Sequence, residues 1–332
     1  MRRALPALLL ALFCAGCERA QPVAVPLELT IAVVELPAAA LIHVAEAQGY
    51  FRKEGVNVRF NTFALGRDAL DSALEGKSDL ATVYDLPVAR RLCEGKDIVI
   101  LTTLHRSSRS HAILARRDRG IERLSDLRGK RIGVTRGISA DYFLSVFLAS
   151  NGLAASAVNA IPLEPADYEQ ALLEGRVDAL SIYSPMTFKV RDALGAGRAA
   201  IFYSDLYAET SVLAGRRDLV AAKREAATRA LRAIVRAEAF VRDNPDESLR
   251  IVVARLGKAY SEPVLRENWN AIRVEARLDN VLLTQLMQQG NWLREVYGYP
   301  TPPPDFGWAL AADYLAAVRP RSVTVLTDAG IR

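Results

Sequence analysis

The sequence predicts an α/β protein built as two lobes. Three observations carry this. A segment recurs: "ALEGKSDLATVYDLP" (Ala73 to Pro87) is matched by "LLEGRVDALSIYSP" (Leu172 to Pro185), with Glu75 and Glu174, Gly76 and Gly175, Asp79 and Asp178, Tyr84 and Tyr183 in register at a spacing of about 99 residues. The stretches upstream also match in kind: Leu29 to Phe60 and Lys130 to Ile161 each read as strand, loop, helix, Gly, strand. Finally, 332 residues, 51% of them hydrophobic, suffice for a sizeable core in one large domain or two smaller ones. Each unit is then strand–helix–strand–helix–strand. Such alternation gives parallel strands joined by right-handed crossovers.

The elements follow in order. "MRRALPALLLALFCAGC" has two arginines, a short apolar run and small residues. It reads as a secretory signal over residues 1–16, too short to span a bilayer. Its end, Cys14-Ala15-Gly16-Cys17, resembles a bacterial lipobox, in which Cys17 would be lipidated and anchor the mature chain. A tether, 17–27, follows. Of three cysteines only Cys93 then remains, so no internal disulfide is expected. Lobe 1 begins at 28 and runs to 112. Strands are expected at Ile98 to Leu104 and His111 to Ala115, the second crossing to lobe 2, 113–208. "TSVLAGR" from Thr210 crosses back, and 209–332 is mainly helical. There Ala227, Leu231, Ile234, Val235 and Val241 share a helical face that Glu238 interrupts, which places Glu238 where the helix leaves the core or beside an Arg. A last helix is expected from about Trp308 to Ala317. The net charge of +5 is scattered, with no dense basic block, which argues against a nucleic-acid partner.

Within each repeat the helix should end at Glu75 or Glu174, with Gly76 or Gly175 left-handed behind it. Asp79 and Asp178 are then expected as turn caps without chemistry. Tyr84 and Tyr183 end strands, at the edge where open α/β sheets bind ligands. They are expected to face one wet cleft from opposite lobes. "RGKRIGVTRGISADYF", Arg128 to Phe143, reads as strand, glycine turn and helix start. It has no phosphate-loop or dinucleotide glycine spacing. Ser139 is expected as N-cap with Asp141 in the first turn, and Arg136, Gly137 and Ser139 as contacts for an anionic group. A helix end supplies about 0.3–2 kcal/mol, whereas micromolar affinity needs about 8. Other strand ends and crossings must add contacts: Glu35 and Leu36, Asp85, Arg109, His111, Glu209 and Thr210. The three carboxylates point to a ligand with a donor or cationic part as well as an acidic part. Alternatively, Asp85 and Glu209 pair with arginines across a closed cleft. Only His43, His105 and His111 are present, with no metal-ligand spacing and no hydrolase or metalloprotease motif. His43 is expected at the surface or satisfied. No cofactor, metal or catalysis is expected.

The stretches "AEAQGYFRKEGVNVRF", "ALEGKSDLATV", "LRGKRIGVTRG" and "LLEGRVDALSIYSP" together resemble the periplasmic substrate-binding proteins of ABC importers. The resemblance is to the nitrate/sulfonate/taurine group, which includes thiamine-pyrimidine binders, and covers roughly Leu29 to Tyr297. It implies a two-lobed architecture: in each lobe a mixed, mostly parallel sheet flanked by helices, with two hinge crossings and C-terminal helices packed on lobe 1. It also implies a monomeric, lipid-anchored receptor on the periplasmic face of a membrane. Such a receptor would close on a small polar, anionic or zwitterionic molecule and deliver it to an importer permease. A sensing receptor of the same fold is the alternative. A single-turnover pyrimidine synthase would need a Cys-rich motif, which this chain lacks.

Overall fold

The computed structural model describes residues 25–299 and 304–325. The signal segment, Cys17 and most of the tether lie outside them. Lobe 1 contains β1 (Leu27–Val34), β2 (Val56–Phe63), β3 (Leu80–Tyr84), β4 (Ile98–Ser107), β10 (Glu209–Arg216) and β11 (Arg273–Val274), in the order β11-β4-β10-β3-β1-β2. Lobe 2 contains β5 (His111–Arg116), β6 (Arg131–Val134), β7 (Asn159–Pro162), β8 (Ala179–Tyr183) and β9 (Ala199–Phe202), in the order β7-β6-β8-β5-β9. The repeated units give the same spatial order: β2-β1-β3 in one lobe and β7-β6-β8 in the other, all parallel. Strands β10 and β5 run antiparallel to their neighbours and make both sheets mixed. The chain leaves the first sheet at Ser107 and enters the second at His111. It leaves again at Phe202 and returns at Glu209.

Local chemistry explains these elements. Central strands such as β3 are buried almost throughout, as two-sided coverage by helices requires. Edge strand β2 instead alternates, exposing Asn57, Arg59 and Asn61, which blunts an otherwise pairable edge. The helix Arg224–Asp243 buries Ala227, Ala230, Leu231, Ile234, Ala237 and Val241 along one stripe and packs on the helix Ala40–Ala47 of lobe 1. Glu238 interrupts that stripe because it leaves the core. It accepts the Ala276 N–H at 3.0 Å and pairs with Arg319. The helix Asn280–Tyr297 covers lobe 1 through the helix Asp85–Cys93. The last helix is shorter than expected, Ala312–Ala316. Trp308 stays in a turn, because Leu310 bridges to Ile100 and Ala309 accepts the Ile100 N–H there.

The repeated Leu-Glu-Gly signal behaves as expected. The helices Gly66–Leu74 and Tyr168–Leu173 end with Glu75 and Glu174 as C-caps, and Gly76 and Gly175 have φ of 77° and 73°. The aspartates do something other than cap turns. Asp79 accepts the Thr30 N–H at 2.7 Å, and Asp178 accepts the Arg131 N–H at 3.0 Å. Each therefore ties the first strand of its unit to the third. Asp178 is also bound by the Arg131 guanidinium at 2.7 Å. Burial raises its carboxyl, but Arg131 outweighs this and holds it below the usual range. Charged hydrogen bonds contribute about 1.5–3 kcal/mol each, less beside the half-exposed Arg131. Asp178→Ala is expected to lower stability by about 2 kcal/mol, read as an earlier thermal melt; an unchanged melt would contradict the clamp.

Candidate ligand-binding site

One cavity lies between the lobes, at the ends of their strands. Lobe 1 contributes Leu36 after β1, Ala64 to Arg67 after β2, and Tyr84 and Pro87 after β3. Lobe 2 contributes His111 at the start of β5, Ile138 and Ser139 after β6, and Tyr183 at the end of β8. Glu209, where the chain re-enters lobe 1, closes the ring. Parallel strands deliver the starts of helices and loops to this edge, and the antiparallel strands β5 and β10 bring their first residues, His111 and Glu209, to the same place. The cavity is small, with a volume of about 30 Å³. The lobes therefore stand close together.

The polar groups facing this space are buried, and several have no partner. Glu209 Oε2, His111 Nδ1 and Ser139 Oγ make no well-formed hydrogen bond, although the Ser139 and Ser110 side chains stand close enough to Glu209 to act on its carboxyl. Glu209 is 1% exposed, and its Oε1 stands 3.4 Å from His111 Nε2. Burial, reinforced by Asp85, pushes the Glu209 carboxyl well above its usual range. Burial, with His105 adding to it, lowers His111 to about 3. His111 is thus neutral at neutral pH, and burial favours the protonated form of Glu209. His111 stacks on Phe143, with ring centroids 5.5 Å apart, and tilts towards Tyr183 at 6.4 Å. Behind it His105 is 1% exposed with neither ring nitrogen bonded, and burial lowers it to about 3 as well. Tyr84 meets His105 edge-on at 6.3 Å.

Of the residues singled out from sequence, Leu36, Tyr84, His111, Ser139, Tyr183 and Glu209 meet at the cavity, and the others lie apart from it. Glu35 is exposed beside β1. Asp85 is fully buried beneath the cavity, accepting the Tyr207 hydroxyl at 2.9 Å and the Gln285 amide. Burial raises its carboxyl to about 6 against the pull of the Tyr207 bond. Thr210 belongs to the same buried group through Gln285, at 3.3 Å. Neither Asp85 nor Glu209 pairs with an arginine in the described residues. Arg109 is exposed, 3.7 Å from Asp205 and over the Tyr203 ring, joining the two crossings. Arg136 and Gly137 turn to Asp141, which accepts from the Arg136 guanidinium at 2.9 Å and the Gly137 N–H at 3.0 Å. Asp141 thereby takes up the donors expected to meet a ligand.

The N-cap of that helix is Ile138, not Ser139. Ile138 is extended and accepts the Asp141 N–H, while Ser139 is the first helical residue, which frees its hydroxyl to face the cavity. Tyr183 does not sit in a wet cleft, being only 7% exposed and packed into the apolar core. His43 is neither at the surface nor satisfied: it is buried within its helix, Nε2 unbonded, and burial lowers it to about 3. Sequence reasoning missed Gly66 and Arg67. The signal was present, since "FALGRDAL" ends a parallel strand and opens a helix, the same position as Tyr84 and Ser139.

Two α/β lobes, two crossings and a cavity between them, largely apolar with a few buried polar groups, define the periplasmic solute-binding class of fold. The chain belongs to the NMT1/THI5-like family, whose sequence profile matches residues 37–248. A candidate binding protein of Brucella abortus is 27% identical over 213 residues, 63% of this chain, and the match spans 65% of that relative's length. The periplasmic aliphatic sulphonate binding protein of Escherichia coli shares the fold at a TM-score of 0.74 and 19% identity, covering 87% of this chain and 99% of that one. The ligand-binding component of an ABC-type import system of Staphylococcus aureus does so at 0.72 and 13% identity, covering 88% and 99%.

Proposed function

We propose that this protein is a solute-binding component of an ABC importer. It captures a small polar molecule between its lobes, releases it unchanged to a permease, and acts as a monomer without turnover. The observation that carries this reading is the convergence, from both lobes, of unpaired buried polar groups on one cavity: Glu209 Oε2, His111 Nδ1 and Ser139 Oγ. Buried polar groups are ordinarily bonded, and a ligand touching both lobes would satisfy these while favouring the closed state. The ligand class follows from the two ends of the cavity. Glu209 suits an amine or another hydrogen-bond donor. Arg67 and the first turn of the helix Gly66–Leu74 suit an acidic group. Tyr84 and Tyr183 add apolar, aromatic walls. A zwitterionic or amine-bearing small molecule fits both ends. Mass spectrometry of small molecules carried through gentle purification should find such a compound. A protein that retains nothing and binds no candidate in calorimetric titration would refute the reading.

The receptor reading includes a lipid anchor at Cys17, with 1–16 removed as signal, 28–112 and 209–332 forming lobe 1 and 113–208 lobe 2. Cys17→Ser is expected to move the protein from membranes to the soluble periplasmic fraction. A wild-type chain carrying no lipid mass would rule the anchor out.

A further inference from the structure

We propose that Glu164 is a specificity-determining residue: a carboxylate tethered on lobe 2 that occupies Arg67 of lobe 1 until an acidic ligand group displaces it. This rests on the reading of the cleft as the ligand site. Arg67 is the second residue of the helix Gly66–Leu74 and is the only cationic side chain among the described residues that line the cavity. Its guanidinium donates to Glu164 Oε2 at 3.0 Å. Glu164 stands two residues beyond β7, so this bond joins the lobes at the mouth of the cavity. Asp68 also approaches Arg67, at 3.6 Å, but it sits on the same helix and bridges nothing. Arg67 lines the cavity together with Tyr183 of the far lobe, so its charge stands on the cavity side.

The exposures decide which anion wins. Arg67 is 29% exposed and Glu164 59%. An ion pair with so wet a partner is screened and worth little. A ligand acid inside the cavity would meet Arg67 in a less polar setting, beside the first-turn amides of the same helix. It would therefore exchange with Glu164. Two other bonds between the lobes behave differently. Arg191 pairs with Glu267 at 2.7 Å, and Tyr297 with Asp141, but none of these four lines the cavity. They hold the lobes together whatever the ligand, whereas the Arg67–Glu164 bond is one that a ligand can replace. Glu164 thus sets a threshold: only anions that also gain contacts deeper in the cavity displace it.

The test uses methanesulfonate as a minimal anionic probe, titrated calorimetrically into wild type, Glu164→Gln, Arg67→Gln and the double variant. Glu164→Gln should bind it at least tenfold more tightly than wild type, and both variants lacking Arg67 should lose that gain. Equal affinity in wild type and Glu164→Gln, or no binding by Glu164→Gln, overturns the proposal. Adding Ser139→Trp to Glu164→Gln, to fill the cavity, separates the two readings. If the bulky residue abolishes binding while Glu164 proves irrelevant, only the Glu164 assignment falls. If binding survives the bulky residue, the probe sits elsewhere and the cleft reading falls with it.

Discussion

Tyr84→Ala is expected to weaken binding of the co-purifying solute by thirtyfold or more while leaving the thermal melt nearly in place. An aromatic wall contributes about 0.5–1.5 kcal/mol beyond the area it buries, and burying such a side chain about 1.5–3 kcal/mol more. Thirtyfold is about 2 kcal/mol, the lower end of that sum. Tyr84 ends β3, lines the cavity and flanks the core while only partly buried, so its removal costs the fold less than that of a fully packed ring. Its counterpart in the repeat behaves differently. Tyr183 is 7% exposed and packs into the apolar core, so Tyr183→Ala should lose both affinity and several degrees of melting temperature. Tyr183→Phe isolates the hydroxyl without opening a void. Calorimetric titration beside the melt reads both effects. Full affinity in Tyr84→Ala would displace the site from this cavity.

Glu209→Gln is expected to raise thermal stability at pH 8 and to leave it nearly unchanged at pH 4. The direction follows from linkage. Burial, then Asp85, raises the folded-state pKa of Glu209, so the folded protein holds a proton that the unfolded chain releases. Stability from such a group is complete below the ordinary carboxyl range and is lost as pH rises through the raised value. Gln cannot lose a proton and escapes that loss. Asp85 shows the same sign with a size attached. Its rise from 3.8 to about 6 corresponds to about 3 kcal/mol, lost between roughly pH 4 and 6. Asp178 contributes in the opposite sense, since its depressed carboxyl stabilises the fold at neutral pH and is lost on acidification. That contribution is common to wild type and variant and cancels in their difference. Paired melts from pH 4 to 8 make the comparison. Parallel curves would mean that Glu209 is not the buried, unpaired acid described. Solute affinity should fall in the same variant, because the ligand loses its carboxyl partner.

The two lobes were legible in the sequence because the repeat is a local signal. Gly76 and Gly175 need left-handed backbone, and the runs after Asp79 and Asp178 are apolar enough to be central strands, so pattern alone places β3 and β8. The edge of the sheet that carries the cavity follows from strand direction, so the sequence pattern alone points to Tyr84, Tyr183, Ser139 and Glu209. What each polar residue bonds to could not be chosen this way. Asp141 and Ser139 both sit in one helix's first turn, and only the approach of Gly137 and Arg136 decides that Asp141 takes the amide and Ser139 faces the cavity. Asp85 and Glu209 look alike in sequence. Tyr207 and Gln285, 122 and 200 residues away from Asp85, satisfy that carboxylate, while Glu209 has only the looser approach of Ser139 and Ser110 and an Oε2 without a well-formed bond. Arg67 and Glu164, 97 residues apart, meet only because the lobes close. Hydrogen bonds and ion pairs act over a few ångströms between groups far apart in the chain. Periodicity therefore determines which side chains reach the cleft, and the packing of the two lobes decides which of them remain free to hold a ligand.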